Sequence, residues 1–76
     1  MNKQFATQDM CLANTLQCLG HGITSLKWLD DRQASFCFKD TDQLKKIIEL
    51  YWQDELLVEP KAFFNAHRLI KSRLYS

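Results

Sequence analysis

The chain has 76 residues and a formal net charge of +1; it is 46% hydrophobic and 25% charged, with only two glycines and one proline. This composition excludes a disordered or low-complexity protein and predicts a single folded domain spanning residues 1–76. A domain of this size removes only about 60% of its extended-chain surface on folding, so a partner or self-association would help to stabilise it. No apolar run reaches the roughly 18 residues that a membrane span needs, and the first residues lack the apolar segment of a signal peptide, so we expect a cytoplasmic protein.

The three cysteines predict reduced thiols. Cys11 and Cys18 are seven residues apart in a helical pattern, which separates them by roughly 10.5 Å along a helix, too far for a disulfide. A zinc site built from Cys11, Cys18 and His21 together with Cys37 or His67 is the sharper alternative, but the chain lacks the CxxC spacing that usually starts such a site. We therefore expect no metal and no cofactor.

The first helix is predicted to start at Thr7 as its N-cap and to stop at Gly20, whose missing Cβ permits the backbone conformation that ends a helix. Its apolar face consists of Leu12, Ala13, Leu16 and Leu19.

Residues 23 to 39 predict a β-hairpin in which Trp28 opposes Ala34, Leu26 opposes Phe36 and Thr24 opposes Phe38. This register requires a loop of odd length, either the three residues 30–32 or a five-residue loop.

A second helix is predicted to start after an Asp40 cap, with Gln43 completing a capping box. Its apolar stripe is Leu44, Ile47, Ile48 and Tyr51. Residues 56–58 form an apolar connector that periodicity assigns to neither strand nor loop. Pro60 predicts the start of a third helix that runs close to the C-terminus. We expect an α+β fold of the order αββαα, with three helices packed on one face of a two-stranded antiparallel sheet.

The third helix carries the feature with functional promise. Phe63, Ala66, Ile70 and Leu74 make its apolar stripe. On another side, an arc of about 80° gathers basic and aromatic residues, namely Lys61, Phe64, Arg68, Lys71 and Tyr75. Residues 61–76 contain four basic and no acidic residues, whereas residues 1–60 contain six basic and nine acidic ones, so charges of +4 and −3 are segregated along the chain.

Three interpretations of this arc are open. The arc is a protein-binding or self-associating surface with Phe64 and Tyr75 as anchors, which is the interpretation that we favour as a function. In the second interpretation the arc is a site for single-stranded nucleic acid, in which the cations contact phosphates and the aromatic rings stack on bases. In the third interpretation Phe64 packs under Trp52 or the 56–58 connector, and the basic face is merely solvated. A free edge on the strand at 23–29 would offer a further route to a homodimer.

Catalytic signatures are weak. His21 lies between two glycines, His67 lies beside an apolar stripe, and the paired Asp30 and Asp31 suit a hairpin tip. Cys37 lies beside Lys39 with no other support for a reactive thiol. The sequence has no glycine-rich phosphate loop and no HExxH motif, so we expect no enzyme and no small-molecule substrate.

The order of features resembles a family of short bacterial domains of unknown function, often met in phage and mobile-element contexts. The matching segments are Phe5–Met10 with Leu12–Ala13, Gly20–His21, Phe36–Asp40, Tyr51–Trp52, Val58–Pro60 with Phe63, and Lys71–Tyr75. The resemblance spans nearly the whole chain and implies no activity or catalytic residue. It implies a phage or mobile-element setting, and with it an accessory role on nucleic acid or on a host protein.

Overall fold

The computed structural model describes residues 3–75 as an α+β fold with the order βαββαα. Its elements are β1 (Gln4–Thr7), α1 (Met10–Cys18), β2 (Ile23–Trp28), β3 (Ala34–Lys39), α2 (Asp42–Trp52) and α3 (Pro60–Leu74). The α+β class and the three helices are confirmed. The two-stranded αββαα arrangement is wrong, because the sheet has three strands in the order β1-β3-β2.

The strand that the sequence did not predict is β1, which pairs antiparallel with β3 and makes β3 the centre of the sheet. Phe5 opposes Phe38 and Thr7 opposes Phe36, so alternate residues of β1 join the face that carries the two core phenylalanines. With four residues and one large apolar side chain, β1 has too little sequence pattern to be recognised alone. It forms because β3 offers it an unpaired edge.

The hairpin register is confirmed at two of three positions. Trp28 opposes Ala34 and Leu26 opposes Phe36, across the five-residue loop 29–33. The third pairing is wrong, because Ile23 takes the place opposite Phe38 and the ladder is irregular between residues 23 and 25. At that irregularity the Thr24 hydroxyl donates a hydrogen bond of 3.1 Å to the Cys37 carbonyl, which holds the extra residue against β3.

The helix caps lie near the predicted positions but not on the predicted residues. Asp9, not Thr7, caps α1, and Thr41, not Asp40, caps α2 through a 3.1 Å hydrogen bond from the Leu44 N–H to its hydroxyl. Thr7 ends β1, and its hydroxyl accepts from the Asp9 N–H at 3.1 Å. In each case several neighbouring residues can cap, and the strand that precedes the helix decides which of them has the extended backbone of an N-cap.

All three helices contribute to one core on the Phe36 and Phe38 face of the sheet. Its buried members are Leu12, Ala13, Leu16, Ile23, Ala34, Phe36, Phe38, Leu44, Ile70 and Leu74. Leu19, which was expected on the apolar face of the first helix, is instead an exposed C-cap. Among the described residues, the opposite face of the sheet has no large apolar side chain; Cys37, at its centre, is buried between Ala6 and Ser25 of the adjacent strands. The molecule is therefore a slab of 34 × 33 × 18 Å.

Within residues 3–75, no helix combines the length and the apolar character needed to cross a bilayer.

Candidate functional site

The outward surface of α3 is positioned by strong local signals at its start and by core packing along its length. The Glu59 carboxylate accepts a 2.6 Å hydrogen bond from the Ala62 N–H, and Pro60 occupies the first turn. Ala66, Ile70 and Leu74 are buried, and the helix packs chiefly against α1. This inward stripe fixes which side of α3 faces solvent.

The five residues of the predicted basic-aromatic arc are all exposed, and we call them the α3 face: Lys61, Phe64, Arg68, Lys71 and Tyr75. The Phe64 side chain is 59% exposed and that of Tyr75 is 76% exposed. The interpretation in which Phe64 packs under Trp52 or the connector is wrong. Its neighbour Phe63 instead lines a groove together with Trp52, Leu56 and Val58.

The fourth basic residue of the third helix has a structural contact. Arg73 donates from Nη1 to the carbonyl of Ile23 at 3.1 Å, which ties the end of α3 to the start of β2. The three cations of the α3 face are therefore Lys61, Arg68 and Lys71, and residues 61–75 include no acid to neutralise them.

A groove lies at the C-terminal end of the α3 face, where α3 meets the tip of the β2–β3 hairpin. It encloses about 310 Å³, and we call it the tip groove; its lining is Gln8, Met10, Trp28, Arg32, Gln33, Ala34, Phe36, Leu74 and Tyr75. Buried apolar groups form its floor, while Trp28, Tyr75, Arg32 and the two glutamines are placed where they can meet a ligand or partner. This mixture suits an apolar anchor carrying polar or negative neighbours.

Sequence reasoning placed Tyr75 at a surface but missed Trp28, Arg32 and Gln33 beside it. Trp28 was assigned to the covered face of the hairpin, and its ring is in fact about half exposed at the rim. No local pattern links the hairpin tip with the last turn of α3, because only the packing of α3 on α1 and the sheet brings them together.

The sequence model of the family Domain of unknown function (DUF5659) matches residues 2–76. The chain belongs to this family. No curated protein and no solved structure matches it. The DUF5659 description assigns no activity, so the geometry of the chain itself must support any function proposed for it.

A second groove of this DUF5659 chain, lined by Phe63 and by residues of α1, the end of α2 and the connector, has a volume of about 480 Å³. The Tyr51 hydroxyl donates to Asp9 Oδ2 at 3.2 Å, while Asp9 Oδ1 accepts from the N–H groups of Cys11 and Leu12. Burial, Cys11 and Asp9 together raise the pKa of Tyr51 well above its usual value. Because the Asp9 carboxylate is occupied by the helix cap and by Tyr51, its role here is structural.

Metal ligation finds no support in the described residues. Across residues 3–75, no three His, Cys, Asp or Glu side chains form a group that could hold a metal ion. Cys11 is exposed, Cys18 is half-buried and Cys37 is buried on the far side of the sheet.

Proposed function

We propose that this domain is a non-catalytic interaction module that binds a protein through its α3 face, in a phage or mobile-element setting. The observation that carries the proposal is the exposure of Phe64 and Tyr75 beside three cations on one side of a helix that is anchored by its other side. Exposed aromatic side chains flanked by Arg and Lys resemble the residues that dominate the binding energy of protein interfaces.

The charge of the α3 face indicates the kind of partner. Lys61, Arg68 and Lys71 have no acid within residues 61–75, so this helix carries an excess of positive charge although the whole chain is near neutral. An acidic protein surface would be attracted over a distance of about 8–10 Å at moderate salt, and apolar contacts with Phe64 and Tyr75 would then slow its dissociation. We therefore propose an acidic partner surface that contains apolar side chains.

Site-specific photo-crosslinking tests the proposal directly. Phe64→p-benzoylphenylalanine places a photoreactive ring on the α3 face without removing an aromatic group. In cells that express the protein, irradiation is expected to produce a discrete crosslinked protein band, and mass spectrometry identifies its second component, either another protein or a second copy of this chain.

The matched control is Lys27→p-benzoylphenylalanine, an exposed position that projects from the opposite face of the sheet. A band that forms at position 64 and not at position 27 supports the α3 face as the binding surface. Equal bands at both positions, or no band at position 64, would contradict the proposal.

Single-stranded nucleic acid is the second candidate function, and the tip groove favours it. Trp28 and Tyr75 both line that groove with Arg32, an arrangement in which a base can stack while the cations of α3 contact phosphates. Three phosphate contacts predict that the logarithm of the binding constant falls with the logarithm of salt with a slope of about −2.

Fluorescence anisotropy with an oligo-dT strand of about 15 nucleotides measures this slope. Lys71→Ala is expected to reduce its magnitude by about 0.7 if Lys71 contacts a phosphate. Binding that does not respond to salt, or no binding at low salt, excludes this second candidate.

A further inference from the structure

The segment before α3 has the opposite character to the α3 face. Between residues 47 and 60 the chain carries four acids and no basic residue. The acids are Glu49, Asp54, Glu55 and Glu59. Within the same stretch Leu57 is 92% exposed, which makes it the most exposed large apolar side chain of residues 3–75.

The tip groove and the α3 face together suit a partner segment in which an exposed apolar side chain has acidic neighbours. Leu57 matches the apolar floor of the tip groove, and Asp54 and Glu55 match the positive charge of Lys71 at the end of α3; Arg32 shares its loop with Asp30 and Asp31, which offset its charge. The chain thus carries both halves of a complementary pair: the acidic segment lies just before the start of α3, and the tip groove lies in space at the C-terminal end of α3.

The positions of the acidic segment and of the tip groove determine how two copies of the chain can pair. Leu57 lies three residues before the start of α3, and the tip groove lies at its end, about 22 Å away for a 15-residue helix. If two copies place their α3 helices side by side and antiparallel, each acidic segment meets the positive end of the other helix. Both contacts then form at once about a two-fold axis, and the assembly closes as a dimer.

We propose that the partner of the α3 face is a second copy of this chain, with the acidic segment Asp54–Leu57 of each copy bound at the tip groove and Lys71 of the other. This proposal rests on the proposed function, because it assigns the occupant of the same surface. Charge attraction orients the two copies, and burial of Leu57 in the tip groove slows their separation.

A charge-swap experiment tests the pairing. Glu55→Lys and Lys71→Glu each change an exposed side chain, so both variants are expected to keep the circular dichroism spectrum of the wild type. By sedimentation equilibrium, the wild type is expected to form a dimer, and each variant alone to dissociate at least tenfold more readily. An equimolar mixture of the two variants restores attraction at both contacts and is expected to dimerise as the wild type does.

Leu57→Ser provides a second measurement that does not involve charge, and it is expected to weaken the dimer by at least tenfold. Wild-type protein that stays monomeric to about 1 mM, or single charge variants that dimerise as well as the wild type, or a mixture that does not recover, would each overturn the proposal. If the protein is a monomer but position 64 is crosslinked to another protein, the proposed function is supported. In that case only the proposal that the partner is a second copy of this chain fails. If neither association nor crosslinking occurs, both proposals fail together.

Discussion

The Asn14 side chain donates a hydrogen bond of 2.8 Å from its Nδ2 to Nδ1 of His67, and this contact joins α1 to α3. Asn14 is only 3% exposed, and its Oδ1 accepts no hydrogen bond from any described residue. Because an amide NH₂ can only donate, the His67 ring accepts at Nδ1 in this arrangement. The bond is therefore a polar link inside the helix pair that presents the α3 face.

A double-mutant cycle on this pair is expected to show coupling. Asn14→Ala and His67→Ala each remove one partner, and their effects on the free energy of unfolding should differ from additivity by about 0.5–1.5 kcal/mol. Urea denaturation of the two single variants and the double variant measures this coupling. Asn65→Ala, an exposed position on α3, combined with Asn14→Ala is the additive control. A coupling energy below about 0.3 kcal/mol would show that the bond contributes nothing measurable.

The raised pKa of Tyr51 predicts that the folded state loses stability at high pH. Its pKa is raised in the folded chain by burial and by its contacts with Cys11 and Asp9. The folded state therefore keeps the phenolic proton at pH values where the unfolded chain, with an ordinary pKa of about 10, has released it. Stability from this group is fully present below about pH 10 and declines as the pH rises further.

Urea unfolding at several pH values from about 8 to 11 measures that decline, and Tyr51→Phe is expected to make it shallower. Tyr75→Phe, which alters an exposed ring, controls for the general effect of alkali and should leave the decline unchanged. Equal slopes in the wild type and in Tyr51→Phe would assign the pH dependence to other groups.

The start of α3 and the orientation of its faces were predictable, because they depend on residues that are close together in the sequence. Pro60 marks the start of α3, and the period of Ala66, Ile70 and Leu74 defines its buried side. Once that side is known, the exposure of Phe64 and Tyr75 follows from helix geometry. The two hairpin pairs that lie nearest the loop are equally local, since they depend only on side-chain alternation and loop parity.

The remaining features depend on contacts distant in sequence. β1 gains its strand conformation only by pairing with β3, whose partner residues lie 29 to 35 positions later in the chain. The tip groove needs the hairpin loop, the start of α1 and the end of α3 in one place, and at the irregularity the Thr24 hydroxyl donates a hydrogen bond to the Cys37 carbonyl of the next strand. Propensity and periodicity carry no information about such contacts, so sequence reasoning gave a two-stranded sheet and missed Trp28 and Arg32 as neighbours of Tyr75.

Gly20 is expected to resist substitution for a reason that Gly22 does not share. Its φ of +94° lies in a region that favours glycine, although a Cβ added there would meet no atom within 4 Å. Gly20→Ala should therefore destabilise the fold by about 1 kcal/mol through backbone strain alone. At Gly22, the nearest atom to an added Cβ is Gln17 Oε1 at 4.0 Å, so Gly22→Ala should change stability by less than about 0.5 kcal/mol. Thermal melting of both variants checks the difference, and equal melting temperatures would contradict it.

The same substitution at two phenylalanines separates folding from binding. Phe38 is completely buried at the centre of the sheet, where Phe5 and Ile23 flank it on the adjacent strands. Phe38→Ala is expected to lower the free energy of unfolding by about 3–5 kcal/mol, because it leaves a cavity in the core. Phe64→Ala removes an exposed ring and should lower it by less than about 0.5 kcal/mol. Urea denaturation followed by circular dichroism measures both values. A loss above about 1.5 kcal/mol for Phe64→Ala would mean that this ring supports the fold, and its exposure could then no longer be used as an argument for a binding surface.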